Sequence, residues 1–202
     1  MKFSIIMPTF NRPELINRSI ISILNQNYKD WELIIQNGGE KLYLPYEDKR
    51  IKLFNEKDSG ITDAMNRGMK RATGDVFCWC NDNDEMAEGT LKWVSENLEK
   101  DWGYGLINMT DGNGGHLWGD IRPERTLQDL LGGNFVPQPS VFWTRKAYEE
   151  VGEMSKDHDL TSDYDYWIRL WKFQEPQKFE RVMADYNLHP KQIGRASCRE
   201  RV

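Results

Sequence analysis

No run of about 18 apolar residues occurs in the 202-residue chain, so no segment reads as a membrane-spanning helix. Basic blocks are missing too. Lys and Arg total 27 against 32 Asp and Glu, a formal net charge of -5, which argues against a nucleic-acid partner held by phosphate neutralisation. Cysteine is scarce. Cys78 and Cys80 lie two apart in an apolar stretch and read as buried thiols rather than a disulfide, and the third, Cys198, falls in an atypical tail. Internal repeats and low-complexity linkers are also lacking. The opening residues MKFSIIMPTFNRP carry one Lys before an apolar run broken by Pro8 and Asn11-Arg12, unlike a signal peptide, so the expected location is cytoplasmic. Aromatics, by contrast, are plentiful: eight Trp, eight Tyr and eight Phe serve either a core or a ring-bearing ligand.

Length favours one domain. The last ten residues, IGRASCRERV, have no apolar periodicity and read as a sequencing adapter translated in frame. The expectation is therefore a single domain over 1–192, with 193–202 foreign and the natural protein continuing further. Within it, 1–100 reads as one half and 101–192 as a second.

The first half alternates strand and helix. Phe3–Met7 is apolar and β-prone and ends in Pro8-Thr9-Phe10-Asn11. Pro13 suits a first helical position, and Leu15, Ile16, Ser19, Ile20, Ile23 and Leu24 give a helical face. Trp31–Ile35 and Ile51–Phe54 read as strands, Ile61 to Ala72 as a helix, Val76–Cys80 as a short buried strand, and Thr90 to Leu98 as a helix. That pattern predicts an α/β fold with an open, mostly parallel sheet. The second half is less regular: a hairpin over Tyr104 to Trp118, a short helix at Leu127 to Leu131, a strand at Val141–Trp143, a helix over Tyr164–Phe173 and a strand at Phe179–Met183.

Ligands of open α/β sheets bind outside the carboxyl ends of the strands. The polar clusters Pro8–Asn11, Gln36–Gly39, Asn55–Asp58 and Asn81–Asp84 each follow an apolar strand, and should converge on one rim. Loops after strands are polar in any protein, so each cluster alone says little. Asn81-Asp82-Asn83-Asp84-Glu85 is the densest. Its three carboxylates would repel one another unless solvent or a hard cation neutralised them. An EF-hand reading fails, because Ala87 stands where that loop needs Gly and Trp93 where it needs Glu. Asp163, at the start of a helix, either caps that helix or offers a carboxylate to the cleft.

Taken together, SIIMPTFNR, ELIIQNGGE, DSGITDAMNRGMKRATGD, CWCNDNDE, VPQPSVFWTRKAYEEVG and SDYDYWIRL resemble, in order and spacing, the family 2 glycosyltransferases of the GT-A fold, from Lys2 to Lys191. The resemblance implies transfer of a sugar, with inversion, from a nucleotide-diphosphate donor, a UDP-sugar by the family pattern, to a hydroxyl of a glycan or glycolipid. It implies Mn2+ or Mg2+ held by Asp84 with His189 near the metal or diphosphate. Asp82, Asn83, Pro8, Thr9, Phe10, Asn37, Asp58 and Asn66 would line the nucleotide-sugar site. Asp163 would be the general base, with Asp165 its rival, and Gln138, Asp165 and Trp167 would lie on the acceptor side. Three positions depart from the family pattern: Asn37 replaces an Asp that can accept from uracil, Ser162 a Glu, and Asn187 an Arg. Peripheral association with the inner membrane face, through a missing carboxyl-terminal part, is a further expectation. The alternatives are a relative that binds nucleotide sugar without transferring it, and a nucleotidyltransferase, although no Gly-rich loop with Lys follows the first strand.

Overall fold

The computed structural model describes residues 1–110 and 115–188. In chain order the strands are β1 (Phe3–Thr9), β2 (Trp31–Asn37), β3 (Ile51–Asn55), β4 (Val76–Trp79), β5 (Glu85–Met86), β6 (Trp102–Thr110), β7 (Gly115–Trp118), β8 (Val141–Thr144) and β9 (Gln177–Asn187). The helices are α1 (Ile16–Leu24), α2 (Ile61–Arg71), α3 (Thr90–Asn97), α4 (Leu127–Gly132), α5 (Arg145–Val151) and α6 (Ser162–Phe173). Short 3-10 turns cover Gln138–Ser140 and Lys156–Thr161. One sheet runs through both halves in the order β3-β2-β1-β4-β8-β6-β9-β5, with β7 paired to β6. Its first four strands are parallel; β8 is antiparallel to both neighbours, and β6 and β9 are again parallel.

Alternation along β1 and β2 divides the core between the two faces. Phe3, Ile5, Met7, Leu33 and Ile35 pack with Ile16, Ile20 and Ile23 of α1 and Leu91 and Val94 of α3. Ile6 and Ile34 face the other way, onto Met65 and Met69 of α2 and the Trp102, Trp143 and Trp167 cluster beneath α5 and α6. The abundant aromatics are therefore largely core. All four of Trp31, Trp102, Trp143 and Trp167 are buried.

The structure corrects several sequence-based boundaries. Pro13 opens a turn, closed by the Leu15 N–H on the Arg12 carbonyl, and α1 starts only at Ile16. Asn11, at φ +53, takes the left-handed conformation that lets this turn form. Strand β5 and helix α5 lie where no element was expected. A two-residue strand has no legible period, and α5 directly abuts β8, so the apolar run of VFW masks its start. No helix among the described residues is long and apolar enough to cross a membrane.

Candidate active site

Parallel pairing fixes the rim. Thr9 stands opposite Asn37, and Asn37 opposite Asn55, so the carboxyl ends of β1, β2 and β3 lie side by side. On the other flank the Cys80 N–H bonds the Ile6 carbonyl at 3.0 Å, which carries β4 level with β1 and turns the chain into Asn81–Asp84 at the same edge. Thr9 Oγ1 donates to Asp82 Oδ2 at 2.7 Å, and Arg12 approaches Asp82 Oδ1 at 3.5 Å. The first strand's loop and the acidic turn are thereby tied together.

Asp84 closes that turn and is fully buried. Its Oδ2 accepts from Asn81 Nδ2 at 2.8 Å, while Oδ1 makes no hydrogen bond of good geometry. Burial pushes its carboxyl up to about 7; the Asn81 amide opposes that, the Asp82 charge adds to it, and the nearby Asn187 N–H also opposes it. Glu32 shows what a satisfied buried carboxylate looks like here. It is 2% exposed, yet Lys52, Ser4 and the Thr73 backbone and hydroxyl outweigh the upward push of burial and hold it at about 2. The two carboxylates differ because Asp84 is the more deeply desolvated and has fewer donors to offset that burial.

Asn81 is the joint of the site, and sequence reasoning placed it only in a general acidic cluster. Its Oδ1 accepts from Trp79 Nε1 at 2.7 Å, and its Nδ2 donates to both Asp84 and Gln138 Oε1, the latter at 2.7 Å. Gln138 Nε2 returns to the Trp79 carbonyl at 2.9 Å. This ring of hydrogen bonds locks the acidic turn to the 3-10 turn that precedes β8. Beside it opens a cleft of about 240 Å³ lined by Asn81, Gln138, Ile107, Met109, Trp118 and Asp163 among others. Asp163 is two positions inside α6 from Thr161, so it is a first-turn residue and not the cap itself. Burial raises its pKa, against the N–H groups of Tyr164 and its own residue, which favour the charged form.

Other expected site residues are engaged elsewhere. Asn37 is buried, with its amide donating to the Glu40 carbonyl and Asn55 Oδ1, both at 2.7 Å, and accepting from Gly39. Asn66 is likewise sealed: both ends of its amide bond the Met154 backbone at 2.9 Å. Trp167 is not on the acceptor surface. It is 0% exposed and packs edge-on against Trp143 and Tyr166, because its position on α6 faces the sheet. Asn83 and Asn187 exchange side chain to carbonyl bonds at 3.0 Å, pinning the acidic turn to the end of β9. Asp165 is paired with Arg169 at 2.9 Å. Asp58, raised by burial and by Asp63 and Asp159, lies over Gly38, where any Cβ would collide with its carboxylate. Pro8 is buried in β1, and Phe10 is 61% exposed just beyond it. His189 and the tail 193–202 lie outside the described residues. Among the described residues, no three His, Cys, Asp or Glu side chains gather at metal-binding spacing.

This architecture, with an acidic turn at the carboxyl edge of a half-parallel sheet, defines a GT-A class of protein. The chain superposes on TarS residues 1–349 of S. aureus bound to UDP, with a TM-score of 0.71 at 16% identity, over 94% of this chain and 61% of that one. It spans 37% of a longer TarS structure. The mannosyltransferase PcManGT of Pyrobaculum calidifontis, in complex with GDP-Man and Mn2+, superposes with a TM-score of 0.62 at 15% identity, covering 98% of this chain and 59% of that one. The glycosyl transferase family 2 model matches residues 4–174, and the chain belongs to that family. A PGL/p-HBAD biosynthesis glycosyltransferase of Mycobacterium bovis is 27% identical over 202 aligned residues, 92% of this chain and 76% of the relative. An uncharacterized glycosyltransferase of Rickettsia conorii is also 27% identical, but this chain covers only 34% of it.

Proposed function

We propose that the chain transfers a sugar, with inversion, from a nucleoside-diphosphate sugar to a hydroxyl of a glycan or glycolipid acceptor. UDP-sugars are the first donor class to test and GDP-sugars the second, since structural neighbours hold UDP and GDP-Man. The observation that carries the proposal is the single cleft lined by Asn81 of the acidic turn and Asp163 of α6, which brings together parts of the two halves of the chain. An acceptor hydroxyl must lose its proton as it attacks, and we assign Asp163, a carboxylate lining this cleft, to take it. Desolvation makes Asp163 a stronger base once ionised, while two backbone N–H groups and the positive end of α6 hold it in place.

The residues of the acidic turn fit a hard cation. Asp84 offers a buried carboxylate oxygen that lacks a well-formed hydrogen bond, with Asp82 two residues away, and Mg2+ or Mn2+ commonly takes one or two carboxylates and completes its shell with phosphate and water. Bound there, the ion would offset the charge developing on the leaving diphosphate. Asn81 and Gln138 keep Asp84 oriented toward that role. A binding-only reading has one observation in its favour: Ser162 stands, buried, where the family pattern has a Glu, so Asp163 has no carboxylate neighbour immediately before it.

The test is nucleotide release from UDP- and GDP-sugars with a panel of glycan and glycolipid acceptors, with Mn2+, Mg2+ or EDTA. Acceptor-dependent release with inverted product by NMR is expected. Tight donor binding with no release for any acceptor would sink the enzyme reading in favour of the binding-only one.

A further inference from the structure

A second, larger space of about 440 Å³ adjoins the Asp163 cleft, within the range of small-molecule pockets. It is lined by Trp118, Gly119, Asp120, Ile121, Arg122 and Phe135. Trp118 lines both spaces. We infer that this second space is a sugar subsite, in which a neutral pyranose ring stacks on Trp118 one residue away from the acceptor hydroxyl at Asp163.

Several features make this a built surface. Trp118 is 39% exposed, in a chain whose other large aromatics are mostly core, and its backbone is held opposite Ile107 on β6. Gly119 follows at φ +121, where a Cβ would stand 2.8 Å from Pro137 Cγ, so only glycine lets the chain turn there and leave the indole at the opening. Phe135 is fixed from behind by Trp171, edge-on at 6.1 Å, and by Tyr104 at 6.5 Å. An aromatic face with a polar rim suits a ring that is apolar on its C–H face and wet at its edges.

Charge selects the ligand class. Arg122 grips Asp120 through Nε at 2.9 Å and NH2 at 2.7 Å, and Arg125 bonds the same carboxylate and reaches Asp129 at 3.4 Å. Both guanidiniums are thus already matched by carboxylates. The fork offers hydroxyl-binding groups at the rim with neither of its guanidiniums left unmatched to capture a phosphate or a uronate. The inference rests on the glycosyltransferase reading for its role but not for the binding itself.

The experiment is an NMR titration of Trp indole N–H resonances with methyl hexopyranosides, methyl glycosides of disaccharides, and glucose 1-phosphate as the anionic probe. Trp118→Phe assigns the Trp118 signal by its disappearance. Neutral glycosides should shift that signal, disaccharides more strongly than monosaccharides, and glucose 1-phosphate should bind no better than a neutral hexoside. Trp118→Ala should weaken disaccharide binding at least tenfold, read by ligand saturation transfer, while thermal stability and UDP binding stay unchanged. Asp163→Asn should leave it intact. Absence of any Trp118 shift with the neutral glycosides, equal binding by Trp118→Ala, or preference for the phosphate would overturn the subsite. Failure of UDP and GDP to bind, with sugar binding retained, would overturn the transferase reading alone.

Discussion

The two halves of the chain meet the cleft in different ways. From β1 to α3 the polar side chains of the rim are already paired: Thr9 with Asp82, Asn37 with Glu40 and Asn55, and Asn66 with Met154 of the second half. In the second half Gln138 is locked to Asn81, while Trp118, 39% exposed at the hairpin end, and Asp163, at the start of α6, also line the cleft. The difference teaches that the first half lines the cleft with side chains already paired, which set backbone shape, whereas Trp118 and Asp163 of the second half present side chains to it. Family membership is legible in both, since the family model runs through residues 4–174.

The contrast can be broken at four points. Asp163→Asn should cost the largest factor, about 10²–10⁴ in transfer rate, with nucleotide affinity unchanged by calorimetry. Because burial raises its pKa, the rising limb of wild-type rate against pH should lie above the ordinary carboxylate range, and loss of that limb in the variant identifies the base. Next, Trp167→Ala should lower stability by about 3–5 kcal/mol in urea unfolding, as removal of a core indole does; normal stability with lost acceptor binding would return Trp167 to the acceptor surface.

Asp84→Asn should act in the opposite direction on the metal-free protein. A carboxyl raised to about 7 in the folded state binds more protons than the unfolded chain between its ordinary pKa and 7, so wild-type stability falls as pH rises through that window. The neutral amide removes that fall, a difference on the order of 1–4 kcal/mol at pH 8 and little at pH 4, measured with EDTA present. Added Mn2+ should stabilise the wild type and not the variant. Smallest is Asn66→Ala, which strands the Met154 N–H and carbonyl and should cost about 1–3 kcal/mol of stability without weakening nucleotide binding. A loss of nucleotide affinity at unchanged stability would make Asn66 a ligand group after all.

Much of the first half could be read directly because β1, β2 and β4 are buried throughout and its helices carry a clear apolar stripe, as in Ile16, Ile20 and Ile23. The rim was legible as a place, since each polar cluster follows a strand, but not as a wiring diagram. The family resemblance makes Asn37 and Asn66 ligand residues, and only the structure shows their amides bonded to Glu40 and Asn55 and to Met154. Trp167 differs for a related reason: the resemblance of SDYDYWIRL marks the helix but not which of its faces meets the sheet, and Trp167 packs there against Trp143. Asn81 could have been found by asking which group satisfies the buried carboxylate beside it, a question of satisfaction rather than of motif.

Strand β9 has a consequence for how the protein comes into being. The two-residue β5, just after the acidic turn, finds its sheet partner only in Asp185 and Ala184, and Asn83 is clasped by Asn187 across 104 residues of chain. A ribosome delivers the acidic turn early and its clasp late. During synthesis the turn can be tied to Thr9 and Arg12 at once but must wait for the Asn187 clasp until more than half of the described chain has followed it, so its final assembly belongs to the last steps of folding, where long-range strand pairing is slow.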